Sequence, residues 1–88
     1  MTNEMIHIGN SAFIPLDKIR VIVPADAGKV RRILKRKGID QNSDRFWDTT
    51  SGLETRALIV LDNGMLVTSF VTSNAIVKRI NQNNDLEV

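Results

Sequence analysis

Short apolar runs rich in β-branched residues predict strands in the first quarter of the chain. Residues 5–8, MIHI, are followed by the turn-forming tripeptide GNS. Residues 12–16, AFIPL, contain Pro15, which has no N–H to donate, so this segment is predicted to be an edge strand or a bend. Residues 19–23, IRVIV, end at Pro24 and predict the next strand.

The hydrophobic pattern then changes to a helical period. Asp26 can cap a helix and Gly38 can close one in a left-handed conformation. Between them one stripe is apolar, formed by Ala27, Val30, Ile33 and Leu34. At 100° per residue the opposite arc is purely cationic and carries Lys29, Arg31, Arg32, Lys35 and Arg36. Like charges four residues apart weaken an isolated helix by roughly 0.2–0.5 kcal/mol per pair, so this arc is expected to have a function.

A hairpin is predicted in the second half of the chain. Two apolar runs, RALIVLD and MLVTSFV, are joined by the dipeptide NG, which favours a two-residue type I′ turn. That turn would pair Leu61 with Leu66 and Val60 with Val67. Neither face of the hairpin is plainly polar, so both faces are predicted to be covered. The chain's two short helices can cover one face of the hairpin, but the chain has no obvious cover for the other face. A partner subunit is the simplest cover for that face.

A second amphipathic helix is predicted over residues 74–81. Ser73 can cap it, and Ile76, Val77 and Ile80 form its apolar face. The element order β-β-α-β-β-α predicts an α+β domain with a mostly antiparallel four-stranded sheet and two helices. We expect one domain over residues 1–82 and a polar, flexible tail over residues 83–88.

Charge is distributed unevenly along these elements. The net charge is +2, but residues 18–37 hold eight cations and one acid, whereas the rest of the chain holds four cations and nine acids. This asymmetry favours an anionic partner, although a hydrated helix face is the plain structural alternative. There is no cysteine, no long apolar segment and no visible secretory signal, so the cytoplasm is expected.

The remaining polar and aromatic residues give weaker signals. His7 stands alone in an apolar strand, which is more typical of a packed residue than of a ligand. The sequence DTTSG at residues 48–52 could donate to phosphate, but such a string more often stabilises a loop. Trp47 could stack on a base, but a core or interface anchor is favoured. With neither a nucleophile–base motif nor a phosphate loop, we expect no enzyme activity and no cofactor.

The segments MIHIGNSAFIP, KIRVIVPADAGKVRR and DTTSGLETRALIVLDNG resemble the RemA family of small bacterial regulators of extracellular-matrix genes. The resemblance runs from about residue 5 to residue 80. It implies a transcription factor that binds duplex DNA as a ring-like homo-oligomer, without catalysis. Arginines carry the DNA contact in that family. Lys18 stands at one of those positions, and Leu53 and Glu54 stand at two others, where the family has arginine.

This departure leaves two hypotheses open. In the first, DNA binds a shifted patch, and the residues predicted to contact phosphate are Lys18, Arg32 and Arg36, with Arg20, Lys29, Arg31, Lys35 and Arg56 as further candidates. In the second, the protein is an assembly module of the same fold that has lost DNA binding. Its cationic helix then docks an acidic partner, or the acidic tail of a neighbouring copy.

Overall fold

The computed structural model describes residues 4–86, and side chains as far as residue 82. Six strands and two helices follow in the order β1 Met5–Gly9, β2 Ala12–Pro15, β3 Ile19–Pro24, α1 Ala27–Lys37, β4 Phe46–Asp48, β5 Ala57–Leu61, β6 Leu66–Ser69 and α2 Ser73–Leu86. The strands form an antiparallel β1–β2 pair and a four-stranded sheet of order β3-β5-β6-β4. Strand β4 is parallel to β6, and the other pairs are antiparallel. The predicted α+β fold with two helices and mostly antiparallel strands is confirmed.

The edge strand that was one alternative for residues 12–16 is confirmed as β2, whereas β4 is an addition to the predicted order. Strand β2 pairs with β1 and places Pro15 opposite Met5 at the end of the ladder, where a missing N–H is tolerated. Strand β4 arises inside the polar stretch of residues 40–55. With three residues it has no periodicity to reveal it, and it depends on long-range pairing with β6.

The β5–β6 turn differs from the predicted type I′ turn. The Leu61 N–H donates to the Met65 carbonyl over 2.9 Å, and the Gly64 N–H donates to the Leu61 carbonyl over 3.0 Å. Gly64 has φ +87°, whereas Asn63 is not among the described residues with positive φ. These features define a three-residue loop with a glycine bulge. The predicted register is therefore wrong by one residue, because Val60 pairs with Leu66 and Ile59 with Val67.

The chain itself covers both faces of the four-stranded sheet. On one face the β1–β2 pair and α2 enclose an apolar cluster of Ile6, Ile8, Ala12, Ile14, Ala57, Ile59, Val67 and Ile76. On the other face α1 covers a second cluster of Ala25, Val30, Leu34, Ile39, Leu58 and Leu66. The prediction that a partner subunit is the simplest cover for the second face of the hairpin is wrong, because the β1–β2 pair and α2 cover that face. The β1–β2 pair does not extend the sheet but lies against its face.

Helix α1 has both predicted ends. The Asp26 side chain accepts from the Lys29 N–H over 2.7 Å, and Gly38 adopts φ 68°. The next residue, Ile39, donates its N–H to the Leu34 carbonyl over 2.9 Å and packs in the same cluster as Leu34. This is the Schellman arrangement, in which a left-handed residue redirects the chain and an apolar contact fixes the exit.

Helix α2 differs from its prediction at both ends. Thr72, not Ser73, is its cap, because the Ala75 N–H donates to Thr72 Oγ1 over 3.2 Å. The helix continues to Leu86 instead of ending at residue 81. Val77 is 43% exposed and lies off the apolar face, whereas Ile76 is fully buried. The end of the predicted flexible tail, residues 87–88, lies outside the described residues.

Candidate nucleic-acid interface

The outer face of α1 is the largest concentration of positive charge in the sequence. Its six cations are all exposed: Lys29, Arg31, Arg32, Lys35, Arg36 and Lys37. Among the side chains that the structure describes, residues 4–82, none of these six forms an ion pair with a carboxylate. The apolar stripe formed by Val30 and Leu34 is buried against the sheet, so the cations are held away from the protein.

Three of these cations follow one row along the helix. Lys29, Arg32 and Arg36 are three and four residues apart, so they share one side of the helix and span about 10 Å of its axis. Arg32 Nη1 lies 3.7 Å from the position that a Cβ on Gly28 would take, so this side chain extends back over the first turn. The Lys29 Nζ donates to the Pro24 carbonyl over 3.4 Å. Such a row can contact successive phosphates of one strand.

Lys18 and Arg56 lie apart from this row, near opposite ends of β5. Lys18 adjoins the hairpin turn, because its carbonyl accepts from the Asp62 N–H over 2.8 Å. Its Nζ is also 4.0 Å from the Asp62 carboxylate. Arg56 immediately precedes β5, and its guanidinium is 3.7 Å from the Glu54 carboxylate. Both pairs are well exposed and contribute only about 0–1 kcal/mol each, so both cations can be redirected by a stronger anion.

Two further candidates have different surroundings. Arg20 is the residue at which the β3–β5 register shifts, and it is exposed on an edge strand. A bulge with a charged side chain protects such an edge from pairing with other strands, which is a structural role. Arg31 lines a cleft beside Asp48 and Thr55, so it faces a pocket as well as solvent. Three of the eight predicted residues, Lys29, Arg32 and Arg36, therefore form a row on α1, and the other five lie outside that row.

The DTTSG segment is a structural loop. Asp48 Oδ1 accepts from the Thr50 N–H over 3.0 Å and from Thr50 Oγ1 over 2.7 Å. Thr49 Oγ1 donates to the Thr68 carbonyl over 2.6 Å, and both threonines are buried. Their hydroxyl protons are therefore already donated within the protein. The turn interpretation is confirmed, since Leu53 N–H closes a turn on the Thr50 carbonyl over 3.0 Å.

Opposing effects act on the Asp48 carboxyl. Burial raises its pKa, but the hydrogen bonds from Thr50 and Thr68 favour the ionised form and hold the pKa below its ordinary value. Asp48 is therefore a fixed negative charge at neutral pH. It lies directly opposite Thr68 in the β4–β6 ladder.

The tip of this loop carries no cation. Ser51 and Gly52 have φ 52° and 84°, and they turn the chain into exposed Leu53 and Glu54. Leu53 is 54% exposed, a large fraction for an apolar side chain. The two positions at which the resemblance leads us to expect arginine are thus accessible but unsuited to phosphate.

The single histidine and the tryptophan are both exposed. His7 lies on the outer side of the β1–β2 pair, with its ring 4.9 Å from that of Phe13, so it is not a buried core residue. Trp47 is 39% exposed and belongs to neither apolar cluster, which excludes a core role. Within the described part of the chain no three His, Cys, Asp or Glu side chains could hold a metal ion.

Arg45 is a further exposed cation near the sheet, from the same polar loop as Arg56. It precedes β4, and its Nη2 lies 3.7 Å from the position of a Cβ on Gly64 in the hairpin turn. Its carbonyl accepts from the Leu66 N–H over 2.9 Å, so the pairing of β4 with β6 positions it.

Among residues 4–86 no helix is long and apolar enough to cross a bilayer.

These features define a small α+β domain with an exposed cationic helix on one face of its sheet. The family model named "RemA-like: Extracellular matrix regulatory protein A-like" matches residues 5–80. The chain belongs to this family.

Curated relatives agree with this assignment. A "Putative regulatory protein" of Coprothermobacter proteolyticus is 32% identical over 93% of this chain and 75% of its own length. One from a Thermoanaerobacter species is 27% identical over 98% of this chain and 86% of its own length. One from Bacillus cytotoxicus is 28% identical over 98% of this chain and 95% of its own length. All three names describe regulatory proteins.

Proposed function

We propose that this protein is a DNA-binding transcriptional regulator that acts as a homo-oligomer and contacts phosphates through the outer face of α1. The observation that carries the proposal is the row Lys29, Arg32 and Arg36, which is exposed and has no acidic partner among the described side chains of residues 4–82. Membership of a family that is named for regulatory proteins supports a regulatory role for this surface. Arg31, Lys35, Lys18, Arg20 and Arg56 are peripheral contacts in this proposal.

The proposed patch is shifted relative to the one that the family resemblance implies. Leu53 offers no donor, and the Glu54 carboxylate repels phosphate. The cations of α1 supply the charge that the loop tip lacks. Lys18 keeps the charge at its position but loses the planar fork of arginine, so it holds phosphate as a point charge.

Repetition is needed to make this patch effective. One protomer offers about two to four phosphate contacts, which gives weak binding at cellular salt. A ring-like homo-oligomer, as the resemblance implies, repeats the row at fixed spacing. Each further contact is then intramolecular, and affinity rises steeply. In this proposal preference among sequences comes mainly from DNA bending and groove shape, because the contacts go to phosphates and not to base edges.

Titration of a long DNA duplex at two salt concentrations tests the proposal. We expect tight binding at low salt, a strong loss of affinity at high salt, and a large loss for Arg32→Ala/Arg36→Ala. Lys78→Ala is the matched control, because Lys78 is an exposed cation on α2. A duplex affinity that does not change with salt concentration, or equal affinities for the double variant and Lys78→Ala, would contradict the proposal.

The second candidate function is an assembly module that docks an acidic protein. The loss of cations at residues 53 and 54 favours it. In that case the wild-type protein fails to bind duplex DNA even at low salt. Light scattering on the same samples reports the oligomer independently. A protein that stays monomeric near 10 kDa at micromolar concentration would contradict the assembly that both candidate functions share.

A further inference from the structure

A cleft lies between α1 and the β4 edge of the sheet. Its volume is about 130 Å³, and its apolar floor is formed by Ala27, Val30, Leu34 and Phe46. The exposed polar side chains that line it are Arg31, Gln41 and Asp48, at its rim, and the less exposed Thr55 and buried Thr68 also line it. Pockets for drug-sized ligands are roughly 300–1,000 Å³, so this cleft can hold only a small metabolite.

The rim carries two opposite charges on different elements. Arg31 belongs to α1, and Asp48 ends β4. Among the described residues no ion pair joins them, so the guanidinium nitrogens lie more than 4.0 Å from the carboxylate oxygens. Each charge can therefore take a separate group of one ligand.

The Asp48 carboxylate is held in place with one oxygen available. Oδ1 accepts all three hydrogen bonds, from the Thr50 N–H, Thr50 Oγ1 and Thr68 Oγ1. Among the described side chains, which end at residue 82, Oδ2 accepts none. A fixed carboxylate with an available oxygen is suited to a ligand ammonium group, because its orientation is set before the ligand binds.

We propose that this cleft binds a free α-amino acid with an aliphatic side chain, its carboxylate on Arg31, its ammonium on Asp48 and its side chain on the floor formed by Val30, Leu34 and Phe46. A simple anion would face the Asp48 carboxylate, and a simple amine would face the Arg31 guanidinium. A zwitterion satisfies both charges. The aliphatic side chain takes the apolar surface that neither charge can use.

NMR titration with L-leucine tests the proposal on the intact chain. Millimolar leucine is expected to shift the amide signals of residues 27–34 and 46–48, which surround the cleft. Two analogues each lack one charge: 4-methylpentanoate has no ammonium, and 3-methylbutylamine has no carboxylate. Each is expected to bind at least tenfold more weakly than leucine.

Matched variants separate the cleft from the rest of the helix surface. Arg31→Gln is expected to weaken leucine binding at least tenfold without unfolding the protein, because Arg31 is exposed. Lys35→Gln removes the neighbouring cation of α1, which does not line the cleft, and is expected to bind leucine normally. Leucine that shifts no cleft signal, analogues that bind as well as leucine, or equal binding by Arg31→Gln would each overturn the proposal.

Leucine binding does not depend on the proposed function. One consequence does rest on it, since a ligand on Arg31 removes one candidate phosphate contact from α1. Saturating leucine would then lower duplex affinity in the wild type but not in Arg31→Gln. If the protein binds leucine and no DNA, the cleft proposal stands and the proposed function fails.

Discussion

Thr68 Oγ1 donates to Asp48 Oδ1 over 2.7 Å and joins the end of β4 to β6. The two residues are direct partners in a parallel ladder of only three residue pairs. Such a short strand gains little from its own backbone bonds, so this side-chain contact stabilises it. The strand in turn positions the cleft and the DTTSG loop.

Replacing Thr68 by valine tests this contact. The change keeps the shape of a buried side chain and removes one hydrogen bond to a carboxylate. We expect the free energy of unfolding to fall by about 1–2 kcal/mol. Thr55→Val is the control, because Thr55 Oγ1 makes no hydrogen bond with any described side chain or backbone group of residues 4–82, and it should change stability by less than about 0.5 kcal/mol. Urea denaturation measures both, and equal effects would contradict the assignment.

Stability should also depend on pH through Asp48. Its pKa is lower in the folded protein than in the unfolded chain. The ionised carboxylate therefore stabilises the fold fully above the unfolded pKa of about 3.9, and this contribution is lost as pH falls through the folded value. Asp48→Asn should cost stability at pH 6 and less at pH 3. A cost that is the same at both values, measured by urea denaturation, would show that the charge plays no part.

Gly9 is expected to tolerate no side chain. It has φ +105°, and a Cβ there would overlap the Phe70 ring and lie 3.0 Å from Val71 Cγ2. We expect Gly9→Ala to lower the free energy of unfolding by about 3–5 kcal/mol, from overlap and backbone strain together. Gly52→Ala has positive φ but open space around it, so it should cost only about 1–2 kcal/mol. Thermal unfolding of both variants compares them.

The two glycines of α1 should respond in opposite directions. Gly28 lies in the first turn of the helix, where a Cβ would meet ordinary contacts of 3.5–3.7 Å, so alanine should add up to about 1 kcal/mol of stability. Gly38 has φ 68° at the helix end, where alanine should cost about 1 kcal/mol or more. Circular dichroism melts should move upward for Gly28→Ala and downward for Gly38→Ala. A shift in the same direction would contradict the assigned ends.

Local signals in the sequence were sufficient to predict α1. Its cap, its apolar stripe, its cationic arc and its closing glycine are all encoded within residues 26–38. Strand β3 and the existence of the β5–β6 hairpin were predicted for the same reason. The sequence therefore predicts which cations lie on the outer face of α1, but it does not predict which elements pack around that helix.

Features that depend on distant contacts were not predictable in this way. The dipeptide NG favours a type I′ turn, but Asn63 Oδ1 accepts from the Met65 N–H over 2.9 Å and stabilises the longer loop. Strand β4 and the cleft depend on the hydrogen bond between Asp48 and Thr68, which are twenty residues apart in the sequence. The β1–β2 pair and α2 cover the face of the four-stranded sheet opposite α1. No local sequence pattern indicates where the β1–β2 pair lies.

The central proposal is that Arg32 and Arg36 contact DNA phosphates, and the salt dependence of duplex binding tests it most directly. Each phosphate contact contributes about 0.9 to the slope of log affinity against log salt concentration. The account predicts a steep slope for the wild type and, for Arg32→Ala/Arg36→Ala, a slope smaller by about 1.8 for every protomer in contact with the duplex, with Lys78→Ala unchanged. A double variant that keeps the wild-type slope would show that this helix face does not bind DNA.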